Sequence, residues 1–410
     1  MWSVCVLLVA VSHAVAHPNQ DQPQEPRKPG WLLNQVFPNP TGDNGIEDLL
    51  IAAEMLDGNR AFREYEELWI DGQATLQHKR STVTSCKAVL ARIRTGLARE
   101  SFRFRESVTF DTPLPGYGHL RRLAKLLSAE QEVHFADGRE MQAIDSFRDG
   151  YRLGQLLDQQ MLISGLVGVV CSGLSLAPLA RRLDQLDYRE CQYLRKVCEQ
   201  LLEHPSGVPS MLMGELRCSL EFLQRSGERD WVSYLIEFGY GDLEEGWTED
   251  SAALRAAVEE HPELLEQAAR QAQEIVRRYY SELLAELQKP AWERTYPDPL
   301  KEDDGSWPWL LARALMPPWS TIADRFTADR ARLQLLAVHA AVLEYRWWYG
   351  VTPADLSKLN LGETATDPFT GKPLIYKRLG DYRFKLYSAG PNKEDDDGDR
   401  DSDVVLVRDM

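Results

Sequence analysis

Residues 374–387 read Leu374-Ile375-Tyr376-Lys377-Arg378-Leu379-Gly380-Asp381-Tyr382-Arg383-Phe384-Lys385-Leu386-Tyr387. Two short apolar and aromatic runs flank the turn-forming tripeptide Leu379-Gly380-Asp381, and this pattern predicts a β-hairpin. Alternate side chains of the second strand, from Tyr382 to Leu386, are expected to share one face, whereas Arg383 and Lys385 are expected to face solvent. The hairpin is the centre of a small C-terminal unit.

An acidic segment, residues 392–403, separates this hairpin from residues 404–407, which predict a third antiparallel strand. Its carboxylates repel one another unless a cation lies among them. A hard cation such as Ca²⁺ takes about six to eight oxygen ligands, which Asp, Asn and backbone carbonyls supply. The alternative is a solvated acidic turn, since Lys393 stands where the EF-hand pattern has its first carboxylate.

A long helix is predicted before this unit, from Thr321 to about Tyr349. Thr321-x-x-Asp324 has the form of a capping box, and Gly350 supplies a C-terminal stop. The helix carries two apolar stripes, namely Leu333, Leu336, Ala337, Ala340, Leu343 and Trp347 on one side and Leu335, Val338, Val342 and Tyr345 on the other. We expect one stripe to cover the C-terminal sheet and the other to pack on the preceding helices.

Three segments of this region resemble the major pseudopilins of type II secretion. They are residues 344–353, the stretch Asp367-Pro368-Phe369-Thr370-Gly371-Lys372-Pro373-Leu374-Ile375-Tyr376, and residues 384–392 with Asp403-Val404. The resemblance covers about residues 330–407. It implies a pseudopilin-like α+β fold with a structural calcium ion, and its metal ligands would be Asn392, Asp395, Asp397, Asp399 and Asp403.

The remainder of the chain differs from pseudopilins. Those proteins begin with a cleaved leader whose apolar segment continues into the pilin helix, whereas here the helix follows a large domain. The resemblance therefore does not imply assembly into a pseudopilus. The whole chain also resembles a large group of uncharacterised exported bacterial helical proteins that carry the same C-terminal unit.

Residues 46–289 show mostly helical spacing of apolar residues with short loops, which predicts antiparallel helices in a bundle or solenoid. Residues 119–157 resemble one tetratricopeptide-like hairpin, in which Ala143 and Gly150 are expected to let the paired helices approach closely. We find no second copy at that period, so a repeat array is not expected. The predicted fold class is mostly α, followed by a small α+β domain over residues 321–410 with one long helix and a three-stranded antiparallel sheet.

The ends and the linker of the chain have their own patterns. Residues 1–16 have the form of a signal peptide, which predicts an exported protein of the periplasm or the extracellular space. Residues 17–45 predict a flexible leader. Residues 290–320 predict an ordered linker, rich in Pro and Trp, that packs across the helical domain. Five cysteines follow residue 16, an odd number that excludes a complete disulfide framework, and most are expected to be buried.

Residues 159–180 carry no charge and are long enough to span a bilayer. Four helix-disfavouring residues interrupt the segment, and the surrounding amphipathic helices need a core on which to pack. We therefore interpret it as a buried central helix rather than a membrane span.

Charge and motifs restrict the function. The net charge of −16 argues against nucleic acid and anionic membrane surfaces as partners. The metalloprotease, nucleophile-elbow and phosphate-loop motifs are absent from the sequence. We therefore expect a non-catalytic binding or scaffolding protein with a protein or peptide partner of the cell envelope. The alternative is a glycan-lytic envelope hydrolase that uses a carboxylate pair in the helical domain.

Overall fold

The computed structural model describes residues 30–37, 39–102, 115–157, 161–225, 262–298 and 301–406. The predicted signal peptide and the first part of the predicted leader lie outside these residues. The helices of the described residues are α1 (Trp31–Val36), α2 (Gly45–Asp57), α3 (Arg60–Ile70), α4 (Leu76–Ser85), α5 (Lys87–Leu97), α6 (Pro115–Ala136), α7 (Glu140–Leu157), α8 (Leu162–Ala180), α9 (Tyr188–Leu202), α10 (Val208–Gln224), α11 (Pro262–Leu287), α12 (Trp307–Ala314) and α13 (Trp319–Tyr349). The protein is mostly helical, as the apolar spacing predicts.

A small antiparallel sheet follows α13. Strands β1 (Ile375–Arg378) and β2 (Phe384–Tyr387) confirm the predicted hairpin. Phe384 and Leu386 pack toward α13 as expected. Tyr382 does not share that face: it precedes β2 in the turn, and 67% of its surface is exposed.

The predicted third strand is not confirmed. Among the described residues, the chain after the acidic segment forms a single bridge to β2's extension, between Ser388 and Val404. The amides and carbonyls of these two residues exchange hydrogen bonds of 3.1 and 2.9 Å. Residues 405 and 406 do not continue the ladder, and residue 407 lies outside the described residues. The sheet has two strands and one bridge.

The long helix α13 buries two faces, as its two apolar stripes predict, except at Trp347, which is 56% exposed. Leu333, Leu336, Ala337, Ala340 and Leu343 join the core formed by α7, α8 and α9. On the other side, Leu335, Val338 and Val342 pack with Phe369, Leu374 and Val404 of the C-terminal unit. Each such Leu or Val contributes about 1.5–3 kcal/mol relative to an exposed side chain. The helix therefore joins the C-terminal unit to the helical domain.

The helix α13 begins before the predicted start at Thr321. Its first residue is Trp319, and neither Thr321 nor any other side chain caps it, so the predicted capping box is wrong. Trp319 is 2% exposed, and its indole meets the ring of Tyr280 edge-on with the centroids 6.3 Å apart. Burial of this indole, rather than capping, positions the start of the helix.

Glycines set the distance between α7 and α8. A Cβ atom on Gly154 would lie 2.6 Å from the carbonyl oxygen of Gly168, and one on Gly168 would lie 2.5 Å from that of Gly154. The closest neighbour of Gly150 is Ser175 of α8. The close approach predicted for the tetratricopeptide-like pair α6 and α7 is thus found at Gly150 between α7 and α8 instead.

The apolar helix α8 is long and apolar enough to cross a membrane, with a mean hydropathy of 2.0 over its most apolar window. However, 67% of that window is buried inside the protein. Its side chains join the cores that also contain α6, α7 and α9. Length and composition do not distinguish a membrane span from the core helix of a soluble protein. The interpretation of α8 as a buried central helix therefore remains a prediction.

Helices are found in the predicted flexible leader and in the predicted linker. The helix α1 lies inside the predicted leader, with Leu32 fully buried in the core. Glu54 fastens this helix by accepting hydrogen bonds from the amides of Gly30 and Leu32. The predicted linker includes α12. Trp292, near the beginning of the linker, packs against the turn at Gly371.

The five cysteines that follow residue 16 are all buried, as predicted for most of them. Cys86, Cys171, Cys191 and Cys198 are free thiols. Burial raises the pKa of Cys171 and of Cys191 to about 12. These thiols therefore remain protonated at neutral pH and serve as small apolar side chains.

Candidate metal centre in the acidic loop

The buried carboxylate of Asp367 ties the turn before β1 to the beginning of the acidic loop. Asp367 is 1% exposed. Its Oδ1 accepts hydrogen bonds from the Phe369 amide at 2.9 Å and the Ser388 hydroxyl at 2.8 Å, and its Oδ2 accepts one from the Ala389 amide at 2.8 Å. Both oxygens are thus compensated by donors of the protein, and this carboxylate needs no cation.

The chain enters the acidic loop through Gly390. This residue has φ of +67°, and a Cβ atom here would overlap the carbonyl oxygen of Ser402. Glycine alone tolerates both the left-handed backbone and the close contact. The contact closes the base of the loop and holds Asp403 beside its entry.

Two lysines of the sheet face the loop. Lys377 Nζ lies 3.0 Å from a carboxylate oxygen of Asp395 and 3.0 Å from one of Asp397. Lys385 Nζ lies 2.8 Å from the other carboxylate oxygen of Asp397 and 2.9 Å from its carbonyl oxygen. Lys385 lies on the solvent side of the hairpin as expected, with 41% of its side chain exposed, and its ammonium group pairs with Asp397 there. The hydroxyl of Tyr387 completes the cluster by donating to Asp395 at 2.6 Å.

These contacts favour the charged forms of the loop. Hydrogen bonds from Tyr387 and Lys377 lower the pKa of Asp395 to about 2. Hydrogen bonds from Lys385 and Lys377 lower the pKa of Asp397 as well. At neutral pH the lysines therefore supply the positive charge that the sequence led us to assign to a metal ion.

Asp403 differs from the other loop carboxylates because it is 2% exposed and only half compensated. Its Oδ2 accepts a hydrogen bond from the Gly398 amide at 2.7 Å. Its Oδ1 is buried and has no hydrogen-bond partner among the described residues. Burial raises the pKa of Asp403, the backbone amides of Gly398 and Asp396 oppose that rise, and the charges of Asp396 and Asp395 reinforce it. An uncompensated anionic oxygen is where a cation would stabilise the fold most.

The other two predicted ligands take part in local turns. The Asn392 side chain accepts a hydrogen bond from the Glu394 amide at 3.1 Å and donates one to Asp396 at 2.7 Å. Asp399 Oδ2 accepts from the Asp401 amide at 3.1 Å. Neither side chain is directed by these contacts toward the lysine cluster.

The structure therefore brings together only part of the predicted ligand set. Asp395 and Asp397 meet at Lys377, whereas Asp403 lies at the base of the loop. Within the ranges that the structure describes, no three Asp, Glu, His or Cys side chains form a metal-ligating group. A metal ion would have to exchange places with a lysine to reach both Asp395 and Asp397.

Sequence reasoning missed Lys377 and Lys385, although the hairpin contained a signal for them. The register pairs Lys377 directly with Lys385. Like charges opposite each other across two strands are destabilising unless anions lie near them. This pairing indicates an acidic partner, and the loop that follows is strongly acidic. The role of Asp367 carried no such signal, because its donors at Ser388 and Ala389 are remote in sequence.

Two buried carboxylates of the helical domain, Glu130 and Asp149, share one arginine. Arg94 lies between them, 2.6 Å from Glu130 and 2.9 Å from Asp149. Ser146 donates to Glu130 at 2.8 Å, and Arg148 forms a second ion pair with Asp149 at 3.3 Å. Burial raises the pKa of Asp149, and the two arginines oppose that rise. Because a guanidinium holds each carboxylate, the cluster favours a structural ion network over hydrolysis.

A groove of about 530 Å³ lies between α11 and the segment that contains α12. Its walls combine one large ring with side chains of both charges, including Arg270, Glu274, Ile275, Asp304, Ser306 and Trp309. The groove is shallow and open to solvent, and it presents the Trp309 ring beside hydrogen-bonding groups.

Comparison of the chain with protein-family models, with curated proteins and with solved structures finds no significant match. The loop with its uncompensated Asp403 and the groove beside Trp309 are the two candidate functional features of the described residues.

Proposed function

We propose that the protein is a non-catalytic binding or scaffolding protein that acts outside the cytoplasm, with a pseudopilin-like C-terminal unit stabilised by structural Ca²⁺. One observation carries the proposal for the metal: the buried Oδ1 of Asp403 lacks a hydrogen-bond partner among the described residues. A hard cation compensates such an oxygen, and carboxylates are the ligands that Ca²⁺ prefers. The affinity expected for an extracellular module of this kind corresponds to a Kd of about 10⁻⁴–10⁻³ M.

Asp403 would hold the ion together with loop carboxylates that now face lysines. The carboxylates of Asp395 and Asp397 are well exposed, and so are the ammonium groups of Lys377 and Lys385. Exposed ion pairs contribute little to stability, so these lysines can give way to a divalent ion. Asn392 and Asp399 lie in the same loop and complete the candidate set.

A thermal melt with calcium and with chelator tests the metal. Free calcium at about ten to a hundred times the Kd stabilises the folded state by about 1–3 kcal/mol. We expect the wild type to gain this stability and the Asp403→Ala variant to gain none. Glu394→Ala is the matched control, because Glu394 lies in the same loop and is exposed. If calcium does not change the melting temperature of the wild type, the calcium proposal is contradicted and the lysines serve as the counter-ions of the loop.

The binding role is supported by the groove beside Trp309. We propose a protein or peptide partner of the cell envelope, with the indole of Trp309 as the anchor. The partner should be enriched from an envelope extract by the wild type and lost with Trp309→Ala. Ile70→Ser is the control, because Ile70 is 63% exposed and lies on α3. A wild type that enriches no protein would contradict this role and leave the calcium proposal standing.

A further inference from the structure

Large apolar side chains that are more than half exposed are concentrated where α13 ends and at the tip of the β1–β2 hairpin. We call this set the aromatic end; it consists of Trp347 (56% exposed), Trp348 (68%), Tyr349 (67%), Leu379 (52%) and Tyr382 (67%). Elsewhere in the described residues, Ile70 alone among large apolar side chains exceeds half exposure. A soluble protein rarely leaves such a group of rings in water unless the group contacts a partner.

The aromatic end is formed where the last turn of α13 meets the tip of the β1–β2 hairpin. The amide of Thr352 donates to the carbonyl of Asp381 at 2.7 Å, and its hydroxyl donates to the carbonyl of Gly380 at 2.9 Å. The amide of Leu379 donates to the carbonyl of Arg383 at 2.9 Å. These backbone groups already have partners within the protein, so the tip can leave bulk water without losing hydrogen bonds.

Contacts with neighbouring side chains and backbone fix the positions of three of the rings. Trp348 meets Tyr188 edge-on with the centroids 5.2 Å apart. The indole of Trp347 donates to the carbonyl of Leu186 at 3.1 Å. Tyr349 lies against Tyr345 with the centroids 4.3 Å apart. A preordered surface loses little conformational entropy when it binds.

Cationic groups flank the rings. Arg189 and Arg383 are exposed, directly follow Tyr188 and Tyr382 in the chain, and form no ion pair with the described residues. Among the other charges near the rings, Arg378 lies 2.7 Å from Asp381 and Arg346 lies 3.8 Å from Asp184. Asp187 and Glu190 accept hydrogen bonds from each other's backbone amides at the start of α9. Two guanidinium groups therefore remain available for phosphate oxygens.

We propose that the aromatic end binds the interfacial layer of a lipid bilayer. Trp and Tyr are the side chains that favour this layer, because their rings enter the acyl region while the N–H or O–H group stays among the headgroups. Arg189 and Arg383 would contact headgroup phosphates. Because the whole protein carries a net charge of −16, anionic lipids repel it, and ring insertion among zwitterionic headgroups carries the affinity.

Co-sedimentation of the full chain with phosphatidylcholine vesicles tests this proposal. The wild type should partition onto the vesicles, and replacing part of the lipid by phosphatidylglycerol should not tighten binding. Trp348→Ser combined with Tyr382→Ser should lower the partition coefficient about tenfold or more, since two exposed rings are removed. Ile70→Ser is the matched control and should bind as the wild type does.

A second measurement guards against a misfolded variant. Brominated phosphatidylcholine should quench part of the wild-type tryptophan fluorescence, and Trp348→Ser should lose much of that quenching while retaining the wild-type melting temperature. A wild type that stays in the supernatant would overturn the proposal, as would a double variant that binds like the wild type. A Trp348-dependent dimer without vesicle binding would instead assign the aromatic end to a second copy of the chain, and capture of a protein partner by the same rings without vesicle binding would likewise overturn the proposal.

Discussion

Asp367 and Asp403 are buried carboxylates on either side of the Ser388–Val404 bridge, yet their surroundings differ. Asp367 accepts three hydrogen bonds and has no uncompensated oxygen. Asp403 accepts one at Oδ2, and its Oδ1 has no hydrogen-bond partner in the described residues. A buried anion is tolerated either through a full set of donors or through a cation. The Asp367 turn uses the first solution, and the acidic loop is prepared for the second.

The largest effect is expected for Asp367→Ala. The substitution leaves two amides and the Ser388 hydroxyl without their acceptor, and it frees the turn from the acidic loop. We expect a loss of about 3 kcal/mol or more in the free energy of unfolding, because each orphaned buried donor costs about 1–3 kcal/mol. Chemical denaturation measures the loss. Asp367→Asn, which keeps one acceptor oxygen, should lose less, and equal losses would contradict the assigned contacts.

Replacement of the other carboxylate by an amide, in Asp403→Asn, should change stability in the opposite direction from Asp367→Asn. In the presence of chelator, Asp403→Asn removes a buried charge that is only half compensated. We therefore expect it to raise the free energy of unfolding by about 1 kcal/mol, since a buried charge that is not fully compensated costs free energy that a neutral amide does not. Asp367→Asn lowers it under the same conditions. If both variants lose stability, then Asp403 has donors equivalent to those of Asp367.

Part of this arrangement could be predicted from the sequence. The two apolar stripes of α13 predicted its two buried faces, because period and residue type alone define a helix face. The hairpin was predicted from its alternation and turn. The prediction of a third strand is not confirmed, because residues 405 and 406 do not extend the single bridge at Val404.

The residue types of the candidate site could be predicted from the sequence, but their arrangement could not. Clustered aspartates indicate that positive charge must lie near them, but not whether a metal ion or a lysine supplies it. The register that places Lys377 opposite Lys385, and the remote donors of Asp367, are products of tertiary packing. The difference between Asp367 and Asp403 follows from those contacts and from no local pattern.

Replacement of Lys377 tests whether this lysine and a calcium ion compete for the same carboxylates. Lys377 occupies the space between Asp395 and Asp397 that a divalent ion would need. Lys377→Met removes this competitor, so we expect the Kd for calcium to fall about threefold to tenfold, because the charge of the site tunes its affinity. Isothermal titration measures the change. Arg383→Met is the control, since Arg383 is exposed and forms no ion pair with the described residues. An unchanged Kd would place the ion away from Lys377.

The smallest expected effect is a pH dependence with two opposite components in one loop. The folded-state pKa of Asp403 is raised by burial above its unfolded value of about 3.9. The folded state therefore binds the proton more tightly, and stability in chelator should rise as pH falls through the folded pKa toward about 3.9. The pKa of Asp395 is lowered to about 2 in the folded state, so its contribution is present above about pH 3.9 and is lost as pH falls from there toward about 2.

Denaturation midpoints measured across this range should separate the two components. Asp403→Asn should abolish the rise above pH 4 and leave the loss below it, whereas Asp395→Asn should weaken the loss and leave the rise. Saturating calcium should reverse the first component, because a bound cation favours the charged form of Asp403 and lowers its pKa. A rise that persists unchanged in calcium would mean that the ion does not reach Asp403, and the half-compensated carboxylate would then have no role in metal binding.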